Sequence, residues 1–419
     1  MHSSKKLLVV ARVNHYRHEG KLYSYSPYAR ELDVWADLFS EVTIAGTCLD
    51  EIPPGDCTPF TKNNIRIVPV SEAGGDGYKA KVRQLFSLPK IMWQLAGHMR
   101  QADAIHARCP CDLGLLGLVM GSFFSRHLIA KYATQWLPYD GEPWTWRLQR
   151  NILRSRWWRG PVTVYGKWPN QPEKIIPFFT SMLTDKQILR AQAAAILPRD
   201  LNAFRILFVG RLSTAKNVDV LLRAIALLKK SNRRIECDIV GEGPQRAALE
   251  QLAGELGIKE RIKFTGGIGF DEVLDYYEKA EALVLASDVE GWPKAVAEGM
   301  AFGLVCIGTE RGMMPQMLGE GRGLLVSPRN VEALASALQT VADDSNKSHE
   351  MATRAAAWAQ KYSLDGLREA LRDLLKERWE SPEQIKGEPP RFPIDFHAPR
   401  SVAVTIPKPE VSASVPNSP

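Results

Sequence analysis

The stretch from Ser287 to Gly303, S-D-V-E-G-W-P-K-A-V-A-E-G-M-A-F-G, constrains this chain more than any other. Glu290 and Glu298 bracket a Gly-Trp-Pro-Lys turn. The apolar run Ala282–Ala286 before it reads as a buried strand. Pro293 suits the first residue of a helix, because the first turn leaves its N–H groups unpaired and proline has none to lose. Glu290 then lies in the loop and Glu298 inside the helix, roughly 7–8 Å along the axis at 1.5 Å per residue. The first-turn amides near Lys294 and Ala295 point into the mouth of the loop and make an anion site. A phosphate flanked by two carboxylates that can accept from hydroxyls fits a sugar nucleotide.

The rest of the chain alternates strands and helices. In the N-terminal half, strands are expected at Leu7–Val13, Val42–Ala45, Ile65–Val70, Ala104–His106, Leu128–Tyr132 and Val162–Tyr165. Helices are expected at Pro27–Leu38, Lys79–Gln101, Asp112–Phe124 and Glu142–Trp158, and helix Asp185–Ala195 with the segment Leu197–Ala203 reads as the crossing into the second domain. The pattern restarts with strand Arg205–Val209, helix Asn217–Lys229, strand Ile235–Val240, helix Pro244–Leu256 and strand Ile262–Thr265. Alternation of this kind predicts parallel, doubly wound sheets. The chain of 419 residues exceeds one ordinary core, so residues 1–200 and 201–379 read as two Rossmann-like domains. From residue 380 the chain turns proline-rich, with nine of its 27 prolines, and reads as a disordered tail.

Four segments carry a family likeness: Phe208-Val-Gly-Arg-Leu-Ser-Thr-Ala-Lys216, Asp238-Ile-Val-Gly-Glu-Gly-Pro244, Ile262-Lys-Phe-Thr-Gly266 and the Glu290-x7-Glu298 motif. In this order, between Arg205 and Asp344, they resemble the retaining family 4 glycosyltransferases (glycosyl transferases group 1). The resemblance implies a GT-B fold, with two such domains facing across a cleft. It implies that a hexose moves from a nucleoside diphosphate to an acceptor hydroxyl, with Arg211, Lys216 and Glu290 as the catalytic residues. Arg211 and Lys216 would bind the diphosphate and stabilise the charge that builds on the leaving phosphate. Glu290 would touch donor-sugar hydroxyls, and Glu298 would accept from the ribose. The donor site would also include Gly241, Gly243, Gly291, Trp292, Pro293, Lys294 and Ala295. Trp292 and Lys294 depart from the usual Gly-Phe-Gly-Leu and would reshape the sugar pocket. Asn217 replaces the usual glycine after the lysine and is expected to cap a helix.

On the N-terminal side, Gly20 in His18-Glu19-Gly20-Lys21 is the candidate for close backbone approach to the phosphates. Ala133-Thr134 stands where some relatives carry a histidine. His106 and Arg108, at the end of a strand, are candidates for the acceptor side. No Asp-x-Asp occurs, so no metal cofactor is expected, and the donor would be a UDP- or GDP-sugar.

Residues 1–200 hold 26 Lys and Arg against 17 Asp and Glu, whereas the remainder holds 28 against 30. The N-terminal half should therefore face something anionic. Arg147, Arg150 and Arg154 fall on one helical stripe among Trp144, Trp146, Trp157, Trp158 and Arg159, a pattern that suits an anionic membrane surface. The apolar start Leu7–Ala11 is too short for a signal peptide, and Leu113–Phe124 is too short to span a bilayer. The chain thus reads as cytoplasmic, at most peripheral at the inner membrane face, assembling a surface polysaccharide or lipid-linked glycan. No nucleic-acid partner is expected. Two alternatives stay open: a non-catalytic sugar-nucleotide-binding or assembly protein, and a sugar-nucleotide epimerase of the same fold.

Overall fold

The computed structural model describes residues 3–70, 78–197, 203–228 and 234–380. The proline-rich tail expected from residue 380 lies outside them, save Glu380. The N-terminal sheet contains β1 (Ser3–His18), β2 (Lys21–Tyr25), β3 (Phe39–Leu49), β4 (Cys57–Pro59), β5 (Ile65–Pro69), β6 (Ala104–Cys109), β7 (His127–Tyr132), β8 (Val162–Tyr165) and β9 (Ile175–Phe178). Its parallel strands run in the order β5-β3-β1-β6-β7-β8-β9. The C-terminal sheet contains β10 (Ala203–Val209), β11 (Arg234–Val240), β12 (Ile262–Gly266), β13 (Ala282–Leu285), β14 (Val305–Thr309) and β15 (Gly323–Val326), ordered β12-β11-β10-β13-β14-β15. Both sheets therefore reverse direction beside their first strand, between β1 and β6 and between β10 and β13. Such switch points open crevices at the carboxyl ends of the strands.

Strands buried on both faces read as continuous apolar runs. Leu7–Ala11 and Ile206–Phe208 are each at most 1% exposed. Beyond that run β1 continues as a polar ribbon that pairs antiparallel with β2, which pairs antiparallel with β4. The sequence reading missed β2, β4 and β9. The first two are short ribbon strands outside the parallel core. In β9, Pro177 interrupts the strand signal and is tolerated because β9 is an edge.

The helices are α1 (Ser26–Ala36), α2 (Tyr78–Gln101), α3 (Asp112–Phe124), α4 (Trp144–Arg154), α5 (Asp185–Ala195), α6 (Val218–Leu227), α7 (Arg246–Glu255), α8 (Phe270–Lys279), α9 (Lys294–Ala301), α10 (Met314–Leu318), α11 (Val331–Asp343), α12 (Ser345–Ala359) and α13 (Leu364–Trp379). The segment from Ser181 through α5 already contacts the second half. Ser181 Oγ donates to Tyr362 O over 2.9 Å, the Leu364 amide donates to Leu183 O over 2.7 Å, and α5 already packs on α8, α9 and α12. The chain returns through α13, which packs on α1, and the Trp379 indole donates to Leu128 O.

Helix α4 is shorter than expected and ends at Arg154. Its arginine stripe is also not a free basic face. Arg150 grips the buried Glu142 carboxylate with two hydrogen bonds of 2.6 and 2.7 Å, and Arg147 Nε reaches the same group at 3.2 Å. An ionised carboxylate with no exposed side-chain surface needs such partners.

Glu142→Ala should therefore lower the unfolding free energy by about 3–5 kcal/mol, the cost of leaving a buried charge unpaired. Arg147→Ala, at a largely exposed guanidinium, should cost under ~1 kcal/mol. Urea denaturation of the two variants checks this; equal losses would mean that the buried pair carries no special weight.

Candidate functional site

The loops after β10 and β13 meet at the C-terminal switch point. The first runs from Gly210 through a single 3-10 turn, Thr214–Lys216, and the second from residue 286 to 293. Lys216 Nζ lies 2.6 Å from Glu290 Oε1. Beside this pair Asn217 takes a left-handed φ of 48°. That conformation is why a glycine suits the position, and asparagine tolerates it. Asn217 stands at the N-cap of α6, but its side chain does not cap, contrary to expectation. Its amide instead donates to Ala286 O at 3.0 Å and Asp288 Oδ1 at 2.9 Å, while the Asp288 amide donates to Ala215 O at 3.0 Å. The two loops are thus stapled together around the lysine and the glutamate.

Arg211 is exposed on the first loop. That loop is laced to the next one, with the Leu212 amide donating to Glu242 O (2.8 Å) and the Gln245 amide to Leu212 O (3.1 Å). A Cβ on Gly241 would lie 2.0 Å from Gly210 O, and one on Gly243 would lie 2.3 Å from Leu212 O. Both glycines are explained by this loop-to-loop approach, which sets the position of Arg211.

Pro293 occupies the cap position of α9, one residue before the helix, and no side chain caps the amides that follow at Lys294 and Ala295. Glu298 faces inward from the second turn, where its Oε2 accepts from the Tyr277 hydroxyl of α8 over 2.7 Å. Burial pushes its carboxyl above the ordinary value, against the opposing pull of that hydroxyl and of Lys294 and Arg30. Trp292 is buried at the domain boundary among Tyr165, Phe179, Trp358 and Tyr362, with centroids 5.6–6.4 Å away. It also borders a recess lined by Met182, Lys294, Ala297 and Glu298. Gly291 admits the other half, since its Cβ would sit 2.9 Å from the Tyr165 ring and 3.0 Å from Thr134 Cα.

The N-terminal candidates divide. Gly20 forms, with Glu19, the two-residue turn of the β1–β2 hairpin at φ values of 73° and 48°. Turn geometry accounts for the glycine, and no other part of the chain comes within 4 Å of where its Cβ would be. His106 does not face the cleft. It is 0% exposed, 4.7 Å from the Trp35 ring, and burial lowers its pKa to about 3. Its β-strand position put it beneath α1, which strand alternation alone could not reveal. Arg108 keeps 18% of its side chain exposed and contacts Glu31.

Sequence reasoning missed Tyr277, Glu31, Lys131 and Tyr25. Tyr25 ends β2, and its hydroxyl is pushed up to about 12, first by loss of water and then by Asp56, Glu298 and Glu290. The hairpin that carries it toward the carboxylates leaves no signal in the local sequence.

The buried His106 ring yields a pH test. The folded ring stays neutral down to about pH 3, whereas the unfolded ring takes a proton near 6.5. The unfolded state then binds more protons, so stability falls as pH drops through that window. His106→Leu should flatten the fall in unfolding free energy between pH 6.5 and 4, leaving the part due to His15, whose pKa burial lowers to about 4. Urea titrations at four pH values measure the slope, and an unchanged slope would mean that the His106 ring titrates as it does in water.

Known proteins resemble the chain in overall fold and over the segment that carries these loops. Residues 190–358 match the family described as glycosyl transferases group 1. A D-inositol 3-phosphate glycosyltransferase of Streptomyces avermitilis is 31% identical over 195 residues, 44% of this chain and 42% of that protein. An N-acetyl-D-galactosaminyltransferase of Campylobacter jejuni, named for an undecaprenol-linked substrate, is 33% identical over 175 residues, 41% of this chain and 48% of that protein. The chain thus matches less than half the length of these curated relatives. The structure of HepE from Anabaena in complex with UDP superposes with a TM-score of 0.63 at 16% identity, covering 89% of this chain and all of that one. The fold is GT-B, and residues 190–358 are similar to the glycosyl transferases group 1 family.

Proposed function

We propose that this chain moves a hexose from a UDP- or GDP-sugar to an acceptor hydroxyl, with retention of configuration and without a metal. The observation that carries the reading is the convergence at one switch point of the Lys216–Glu290 pair, the uncapped start of α9 and the inward Glu298. Arg211, Lys216 and the amides of Lys294 and Ala295 take the diphosphate and stabilise the charge on the departing phosphate more than the ground state. Glu290 accepts from donor-sugar hydroxyls and Glu298 from the ribose. The simplest course is front-face attack, in which the leaving phosphate oxygen takes the acceptor's proton. His106, buried under Trp35, supplies no acid or base, which weighs against an epimerase. The UDP complex of HepE supports a nucleotide donor.

Calorimetry with UDP and with GDP tests the donor site. One of them should bind, and Glu298→Gln should weaken it at least about tenfold, as loss of a charge-assisted hydrogen bond does. Glu290→Ala should abolish donor hydrolysis while the nucleotide still binds. Binding with no turnover by the wild type would favour the non-catalytic reading; binding of neither nucleotide would end the transferase reading.

The setting we propose is glycan assembly at an anionic membrane surface. No described helix is long and apolar enough to cross a membrane. Helices α2, α3 and α4 pack side by side and leave Phe86, Trp93, Phe123, Trp144 and Trp157 between 48% and 81% exposed. Phe123 and Trp157 meet edge to face at 5.4 Å. Lys90, Arg126, Arg154, Arg156 and Arg159 are exposed around them. Aromatic side chains with a basic rim fit the boundary of an anionic bilayer. Sedimentation with phosphatidylcholine vesicles should pull down the chain only when phosphatidylglycerol is included. Trp144→Ala with Trp157→Ala should cut that binding roughly tenfold, about 1.4 kcal/mol. Equal binding to neutral vesicles would sink the proposal.

A further inference from the structure

The N-terminal sheet has its own switch point, between β1 and β6, and the charge gathered beside it is unbalanced. Arg108 and Lys131 are next to last in β6 and β7 and are cross-strand partners in the register. A single carboxylate, Glu31 of α1, serves both: its Oε1 lies 3.3 Å from Arg108 Nη1 and its Oε2 lies 2.8 Å from Lys131 Nζ. Burial lowers Lys131 to about 8, and although burial opposes it, the two cations hold Glu31 down to about 2, so all three groups are mainly charged near neutrality. The nearest other titratable groups do not restore the balance. His106 is neutral, Tyr28 and Tyr165 are raised by burial, and Lys294 across the cleft adds positive charge near Tyr165. Glu290 is already taken by Lys216.

The cluster also lies in the right place. Lys131 Nζ is 5.2 Å from the centre of the Tyr165 ring, and that ring abuts Gly291, the residue after Glu290. The Arg108 guanidinium lies 5.1 Å over Tyr28 and is partly exposed. Among the described residues its one side-chain hydrogen bond is the long one to Glu31. A planar guanidinium with donors to spare fits an oxyanion, and a surplus buried cation is costly until an anion neutralises it.

We infer that Arg108, backed by Lys131, binds an oxyanion of the acceptor, a phosphate monoester or a carboxylate, facing the donor crevice. Glu31 is the positioning residue that holds both cations in place. The inference rests on the donor reading above for the word acceptor, but its test does not.

The test titrates the full chain calorimetrically with glucose 6-phosphate, glucuronate and glucose, with and without saturating UDP. At least one anionic sugar should bind tenfold or more tightly than glucose, and which one does so distinguishes phosphate from carboxylate. Arg108→Gln should erase that preference, and Arg108→Lys, with charge but no fork, should keep part of it. If glucose binds as well as both anionic sugars, or none binds, the inference is wrong. It is also wrong if Arg108→Gln keeps the preference. Should Arg108→Gln fail to fold, full retention of the preference in Arg108→Lys together with Lys131→Met would likewise overturn it. A wild type that binds the anionic sugar through Arg108 but no nucleotide would fail the donor reading alone.

Discussion

The contact on which the crevice depends joins two loops that are distant in sequence. Lys216 and Glu290 meet at 2.6 Å, with side chains 26% and 8% exposed. Two flexible side chains hold such a geometry only if their backbones are fixed, because ordering them costs entropy. The staple beside them does the fixing. Asn217, Ala286, Asp288 and Ala215 exchange three hydrogen bonds across the same gap, and Arg329 closes on Asp288 at 2.6 Å. A glycine after the lysine would reach the same left-handed conformation but would lose the two side-chain bonds. In this chain asparagine meets the backbone requirement and also ties the loops together.

Backbone proximity explains most of the remaining site. The crevice is built from main chains packed closer than any side chain allows, and the glycines mark those contacts. Gly241 and Gly243 press on the Arg211 loop, and Gly312 presses on Glu290, whose carbonyl oxygen would lie 1.7 Å from its Cβ. Gly291 lets Thr134 and Tyr165 of the other half approach. Gln316 then clamps Lys167 by accepting from its amide at 2.9 Å and donating to its carbonyl at 3.1 Å. Rigid loops on packed sheets hold charges where a ligand's charge will appear, and preorganisation of that kind is what makes them effective.

How much of this was legible depended on how local the signal was. Helices Asp112–Phe124 and Asp185–Ala195 and strand Val162–Tyr165 could be read to the residue, because periodicity and caps define them within the segment itself. The motif residues Arg211, Lys216, Glu290 and Glu298 could be placed on their loops and helix for the same reason. The partners of those residues could not. Tyr277 reaches Glu298 from 21 positions away, and Glu31 reaches Lys131 from 100 positions away. Nothing in the local pattern distinguishes these side chains from ordinary helix residues. His106 shows the converse error, since it looked functional while core packing explains it.

The charge asymmetry can now be resolved in space. Among the described residues, the basic excess of the N-terminal half does not form one surface. Part of it is spent internally, where Arg150 and Arg147 satisfy Glu142. Part rims the aromatic face of α2, α3 and α4, in Arg154, Arg156 and Arg159. A third part, Arg108 and Lys131, gathers around one carboxylate near the carboxyl ends of β6 and β7. The last two lie on opposite sides of the same sheet, because α3 packs against β1 and β6 from one face while Glu31 projects from α1 on the other. The two binding regions proposed above, a broad outer surface and a small site beside the switch point, are therefore separate.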